Sequence, residues 1–287
     1  MLEFTACREY NNGMDAKKTF TIGFVFHPTK HNNAEVISAF AGTAREKGFL
    51  CAAFPESVKK IDFPFLNIEN SPIDFVISLG GDGSVLIASQ LSASRNVPLL
   101  GVNNGRIGFL TEIEIGEFGK ALDCIAAGEY SLDKKMMLSC HTGIDEYTGL
   151  NDFTVYKKAF AEVVNISVDI NGIDAGSMFC DGVIVSTPTG ATAYSISAGG
   201  PLIAPGLDCI LITPICPHSL SFRPIVASAD SIVRIHAYSN CALACAGTSV
   251  ADINSGETVV ISRSEKSCDF LRLKKHNIYS LVRQKLT

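Results

Sequence analysis

Short apolar runs alternate with stretches of helical spacing between residues 20 and 103, and this alternation limits the fold more than any other feature of the chain. The runs "FTIGFVFH" (20–27), "FVISL" (75–79) and "VPLLGVN" (97–103) suit strands buried on both faces. Between them, "NNAEVISAFAGTAREKGF" (32–49) repeats apolar residues at helical spacing, and Gly48 suits its C-cap. "SVLIASQLSAS" (84–94) reads as a second helix with Ser84 at or near its start. Strand, helix, strand in this order predicts an open, parallel, Rossmann-like α/β sheet, in which ligands sit at the carboxyl ends of strands.

The pattern changes near residue 130. "AEVVNISVDINGIDAGSMFCDGVIVSTP" (161–188) reads as two strands joined by an Asn171-Gly172 turn. "PIVASADSIVRIHAYSN" (224–240) and "ETVVISRS" (257–264) continue as short β segments. A chain of 287 residues has room for two domains. The expected division is a polar leader at 1–18, an α/β domain at 19–129 and a β-rich, sandwich-like domain at 130–265. A C-terminal helix at 266–287, with Ile278, Leu281, Val282 and Leu286 at helical spacing, is expected to pack on the first domain.

Charge and composition narrow the partners. A net charge of −5 argues against a broad nucleic-acid surface, and no apolar stretch reaches the roughly 18 residues of a membrane span. The N-terminal twenty residues carry charges throughout and lack the apolar core of a secretory signal, so a cytoplasmic location is expected. Ten cysteines scattered through apolar runs read as reduced, buried thiols.

Three motifs carry chemistry. In Gly80-Gly81-Asp82-Gly83-Ser84, between a strand and a helix, glycines let backbone amides approach a phosphate, and the helix start adds positive potential. A lone carboxylate there suits a proton acceptor for the hydroxyl that receives the phosphate; the plainer reading is a turn in which Asp82 caps the helix. The loop has no Lys and is not a P-loop. In "DGVIVSTPTGATAYSISAGGP" (181–201), Thr187, Thr189, Thr192 and Ser195 offer hydroxyls, and Tyr194 a flat ring for a base or ribose. Asn151 and Asp152 pair a donor–acceptor amide with a pure acceptor, the set that fits an adenine edge and a ribose diol. Arg106, Lys157, Lys158 and Arg223 are candidates for phosphate contact.

These segments, together with "GVNNGRIGFLTEI" (101–113) and "TPICPHSLSFRPIV" (213–226), resemble the NAD kinase family in order and spacing over roughly residues 20–285. The 181–201 segment carries the specificity, because GGDG alone also occurs in phosphofructokinases and diacylglycerol-type lipid kinases. The resemblance implies a deep cleft between two domains and Mg²⁺-dependent phosphate transfer from ATP to the 2′-hydroxyl of NAD's adenosine ribose. It implies a homodimer or homotetramer, with neither nucleic acid nor membrane as partner. By the same resemblance Asp82 is the proton acceptor. Gly80, Gly81, Gly83 and Ser84 form the phosphate loop, with Gly83 also beside NAD. Asn151, Asp152, Asp181, Thr192, Ala193, Tyr194, Ser195, Ile196 and Ser197 match the remaining NAD contacts. The chain departs from the pattern in three places. Ser84 stands where many relatives have Thr, Phe179 where many bacterial relatives have Arg, and Ala246-Gly247-Thr248 where Asp-Gly-Gln is frequent. Two other classes stay open on the residues alone: a lipid or sugar kinase using the same loop, and a non-catalytic nucleotide sensor.

Overall fold

The computed structural model describes residues 19–26, 34–105, 108–143, 145–204, 206–219, 222–274 and 283, so the expected leader lies outside the described residues. The chain forms two compact units, one of residues 1–134 with 268–287 and the other of residues 135–267.

The first unit runs β1 (Thr21–Phe26), α1 (Ala34–Glu46), β2 (Leu50–Ala53), a single-turn α2 (Pro55–Val58), β3 (Leu66–Asn67), β4 (Phe75–Gly80), α3 (Asp82–Arg95), β5 (Leu99–Asn103), β6 (Ile113–Glu114) and α4 (Phe118–Ala127). Hydrogen bonds order its strands β5–β4–β1–β2–β3, with β6 beside β5, all parallel. Parallel strands must be covered on both faces, and β1 and β5 are buried at every residue. Part of that cover is Ile37, Phe40 and Ala44 of α1 with Phe118, Leu122 and Ile125 of α4, packed in one cluster with Phe24, Ile77 and Val102. The Phe40 and Phe118 rings stack at 4.3 Å between centroids. Gly48, at φ +84°, follows the end of α1, and Asn96 ends α3 in the left-handed region with its N–H on Ser92 O. Gly80 and Asn103 are register partners, so the carboxyl ends of β4 and β5 lie side by side, and the GGDG turn leaves from the first of them.

The second unit is antiparallel. The strands that follow are β7 (Ser131–Thr142), β8 (Asp145–Gly149), β9 (Asp152–Lys157), β10 (Val164–Ile170), β11 (Ile173–Cys180) and β12 (Gly182–Ser186). After the short helix α5 (Tyr194–Ser197) come β13 (Cys209–Ile215), β14 (Ile225–Ser228), β15 (Val233–Ala237), β16 (Cys241–Cys245), β17 (Thr248–Ile253) and β18 (Thr258–Arg272). One sheet has the order β14–β13–β12–β9–β16–β17, and β11–β10–β15–β18 pair separately. Both contribute to one core that includes Phe153, Val155, Ile166, Val183, Ile212, Ile235, Leu243 and Ile261. The Asn171-Gly172 turn closes β10 on β11 with φ of +56° and +83°, the backbone that favours Asn-Gly in tight hairpins.

The tail differs from the sequence expectation. Residues 266–272, assigned above to a C-terminal helix, continue β18, where Phe270 pairs in parallel with Leu99. A three-residue ionic knot holds this end. Arg272 bonds Glu112 Oε2 at 3.0 Å and Asp133 Oδ2 at 3.1 Å, while Glu112 Oε1 accepts the Leu273 and Lys274 amides. Ile278, Leu281, Val282 and Leu286 lie outside the described residues. The nine described cysteines are free. Burial pushes the Cys140, Cys180 and Cys268 thiols up to about 12, which leaves them protonated and inert near neutrality.

Candidate active site

The first group forms at the carboxyl end of β4. Gly80 takes φ +147°, and a Cβ there would overlap the Ser84 hydroxyl, so both backbone and packing demand glycine. Ser84 is buried against that turn, and its N–H and that of Val85 close on Gly81 O. Gly81 and Gly83 are exposed and Asp82 is half-buried. This leaves a thin, open backbone at the start of a 14-residue helix, with the Ser84 hydroxyl directed inward.

Asp82 does not cap its own helix; Gly81 occupies the N-cap without a side-chain bond. Its carboxylate reaches across to the 108–111 turn, where Oδ2 accepts Phe109 N–H and Oδ1 accepts Leu110 N–H, each at 2.9 Å. The approach is close enough that a Cβ on Gly108 would sit 2.8 Å from Asp82 Cγ. Thr111 Oγ1 accepts Gly108 N–H at 3.2 Å and completes the turn. The "GFLT" part of "GVNNGRIGFLTEI" is therefore the seat of the Asp82 carboxylate. The available signal in the sequence was Gly108, a small residue ahead of consecutive backbone amides. Arg106 lies outside the described residues.

The second group forms in the β-rich unit, where β9 and β12 pair with Asp152 opposite Ser186. Asn151 is buried, and its Oδ1 has no hydrogen-bond partner among the described residues. Asp152 is 3% exposed, and burial raises its carboxyl to about 6 despite a weak hydrogen bond from Thr154. Buried acceptors that lack partners are costly, and they are suited to a ligand that brings donors. The backbone beneath is tight: a Cβ on Gly190 would overlap the Asn151 carbonyl.

The residues after Thr187 divide by accessibility. Tyr194 is exposed at α5, and its phenol is pushed up by partial burial first and then by Cys216, Asp181 and Asp152 nearby. Thr192, Ala193 and Ile196 are half-buried and Ser197 is exposed. Ser195 is fully buried, with its hydroxyl paired to Thr213 Oγ1 at 2.9 Å, so it braces the segment from inside. Thr187, offered above as a ligand hydroxyl, is also fully buried and bonded to backbone. Asp181 accepts Lys157 Nζ at 2.8 Å, and Lys158 pairs with Asp252 at 2.8 Å, so these two candidate phosphate cations are engaged with carboxylates. Arg223 is exposed. Phe179 projects from β11 and is exposed. Ala246 and Gly247 form the β16–β17 turn with φ of +47° and +81°, and Ala246 N–H bonds Asp152 O at 3.0 Å.

No group of three or more His, Cys, Asp or Glu among the described residues is arranged to hold a metal ion. No helix among them is long and apolar enough to cross a membrane.

Comparison with known proteins adds an independent line. Residues 12–130 match the family model of the ATP-NAD kinase N-terminal domain, and residues 150–273 that of the ATP-NAD kinase C-terminal domain. An NAD kinase of Geotalea daltonii is 39% identical over 221 residues, covering 74% of this chain and 78% of its own. An NAD kinase of Desulforamulus reducens is 35% identical over 278 residues, covering 93% and 96%. Among solved structures, an NAD kinase from Archaeoglobus fulgidus in complex with ATP aligns with a TM-score of 0.75 at 25% identity, over 92% of this chain and 99% of its own. Yeast NADH kinase complexed with NADH aligns with a TM-score of 0.84 at 24% identity, over 94% and 88%, a likeness of fold.

Proposed function

The chain belongs to the ATP-NAD kinase family, and from that premise we propose that it moves the γ-phosphoryl group of ATP onto the 2′-hydroxyl of the adenosine ribose of NAD, making NADP. The observation that carries the chemistry is the Asp82 carboxylate, seated by two backbone amides beside an open glycine turn. A carboxylate can accept several hydrogen bonds at once, which suits it to receive a substrate hydroxyl as well. As the new O–P bond forms, the hydroxyl proton passes to Asp82 and the ADP oxygen leaves with the electron pair of the broken bond. A carboxylate already held in place loses little orientational freedom on the way to the transition state.

Gly81 and Gly83 present backbone at the α3 N-terminus, where a phosphate is favoured. Mg²⁺ commonly binds through one or two carboxylates and substrate phosphates, and here it would be carried by the phosphates of ATP. When bound there, it offsets the negative charge of the transferring group. On the NAD side, Asn151 offers an acceptor without a partner among the described residues and Asp152 a buried carboxylate to adenine and ribose donors, and the exposed Tyr194 ring offers a stacking face. Thr192, Ala193, Ile196 and Ser197 complete the wall, and Asp181 acts with its charge fixed by Lys157.

Two broader features complete the reading. Free thiols, buried at Cys51, Cys140, Cys180, Cys209, Cys241 and Cys268 though exposed at Cys216, suit a reducing cytoplasm. Phe160, Ile173 and Phe179, all exposed on the β-rich unit, favour a homodimer or homotetramer, which light scattering would measure. The decisive assay is NADP formation from NAD with ATP, and separately with polyphosphate, as donor. NADP with ATP is expected. NAD binding without turnover on either donor would refute the kinase reading in favour of a sensor.

A further inference from the structure

Thr187 sits one residue beyond the end of β12 and touches both carbonyls around the NAD-facing pair. Its hydroxyl donates to Leu150 O at 2.7 Å and accepts Gly190 N–H at 3.1 Å. Its own N–H donates to Asn151 O at 2.8 Å, and its carbonyl accepts Ala191 N–H at 3.0 Å. Four hydrogen bonds from one fully buried residue thus join the 150–152 turn to the 190–192 turn. The close approach of Gly190 to Asn151 leaves no room for slack between them.

We propose that Thr187 is a positioning residue: it touches no substrate, but locks the backbone on either side of Asn151 so that the Asn151 and Asp152 side chains meet NAD in one arrangement. This rests on the reading of those two residues as the NAD-gripping pair. Three properties distinguish the role from packing alone. Both polar capacities of the hydroxyl are spent on the two turns, so a shape-matched residue without a hydroxyl removes one bond to each turn at once and leaves only the two backbone bonds. The hydroxyl holds the carbonyl of residue 150, immediately before Asn151, while the backbone N–H holds that of residue 151. The Asn151 Oδ1 has no hydrogen-bond partner among the described residues, so no hydrogen bond to that oxygen fixes its direction.

The experiment compares Thr187→Val, which keeps the β-branched shape, with Thr187→Ser, which keeps the hydroxyl. The readings are the NAD dissociation constant by calorimetry, the KM values for NAD and ATP, and the melting temperature. The Val variant should weaken NAD by about tenfold or more, below the hundredfold that a misplacement of about 1 Å can cause. Its KM for ATP should stay within about twofold, and the Ser variant should restore NAD affinity to near wild type. Weakening of both substrates alike, or a fall in melting temperature with NAD affinity intact, would overturn the positioning role and leave Thr187 as packing. If the Val variant does not fold, Thr187→Cys provides the same comparison, because a thiol is a weak substitute for the hydroxyl; wild-type NAD affinity in that variant would equally overturn the role. The calorimetric reading does not need turnover. Absence of NADP from wild-type protein would refute the kinase assignment, whereas unchanged NAD affinity in the Val variant would refute only the role of Thr187.

Discussion

Replacing Asp82 with Asn tests the proposed chemistry most directly, and the structure alters what such a test must control. The carboxylate accepts Phe109 N–H on one oxygen and Leu110 N–H on the other. An amide can accept only one of these; its NH₂ would point a donor at a donor. One charge-assisted hydrogen bond is then lost, worth about 1.5–3 kcal/mol. At about 2–4 °C per kcal/mol, the melting temperature should fall by roughly 3–12 °C. The catalytic effect is separate: loss of a general base costs about 10²–10⁴ in rate. The assay is kcat for NADP formation at 25 °C, where the variant remains folded, beside its NAD dissociation constant and melting curve. Gly108→Ala supplies the control, because its Cβ crowds Asp82 Cγ while leaving the carboxylate in the chain. The expected result is a far larger rate loss for Asp82→Asn than for Gly108→Ala, with NAD still bound. Near-normal kcat in Asp82→Asn would refute proton transfer to this group. Because the same Cβ overlaps Asp82 Oδ1, Gly108→Ala displaces the carboxylate without removing it, and a loss in Asp82→Asn no larger than in a wild-type-like Gly108→Ala would refute the role of Asp82 as base.

Asn151→Ala should raise the KM for NAD by an amount equivalent to about 1–3 kcal/mol with little change for ATP. Because the Asn151 Oδ1 has no partner among the described residues, its melting temperature should hold or rise; loss of stability without loss of NAD affinity would refute the binding role. Asp152 binds its proton more tightly folded, at about 6, than unfolded, at 3.8, so its contribution is complete at low pH and lost as pH rises through that window. At 1.36 kcal/mol per decade the difference is about 3 kcal/mol. Asp152→Asn should therefore melt higher than wild type at pH 7.5, with the gap shrinking towards pH 4, while binding NAD more weakly; equal melting at pH 7.5 would contradict a buried, costly carboxylate. Ala246 holds φ +47°, a conformation that costs a residue with a Cβ about 1–2 kcal/mol and that Asn tolerates better. Ala246→Asn should raise the melting temperature, and no rise would show that the turn carries no strain.

Much of the fold was legible because its causes are local. Unbroken apolar runs such as "FVISL" belong in a parallel sheet whichever helices cover them, and β4 occupies Phe75–Gly80. Asn171-Gly172 closes a hairpin because those two residues tolerate positive φ better than others. The glycines of the 80–83 turn were legible as an opened backbone, and Gly80 takes φ +147°. Residues 266–272 misled because the helical spacing at Ile278, Leu281, Val282 and Leu286 was carried back over them; pairing with Leu99, far away in the chain, makes them strand. The same holds for direction at the site. Four hydroxyls between 187 and 195 look alike in sequence, yet Thr187 and Ser195 turn inward because Leu150 O, Gly190 N–H and Thr213 Oγ1 are there to receive them. Asp82 is recognisable as a lone carboxylate among glycines, but its two amide partners come from Phe109 and Leu110, 27 and 28 residues later. Residue type and local backbone preference were written in the chain; which polar atoms meet, and which are left for a ligand, depended on how distant segments close around them.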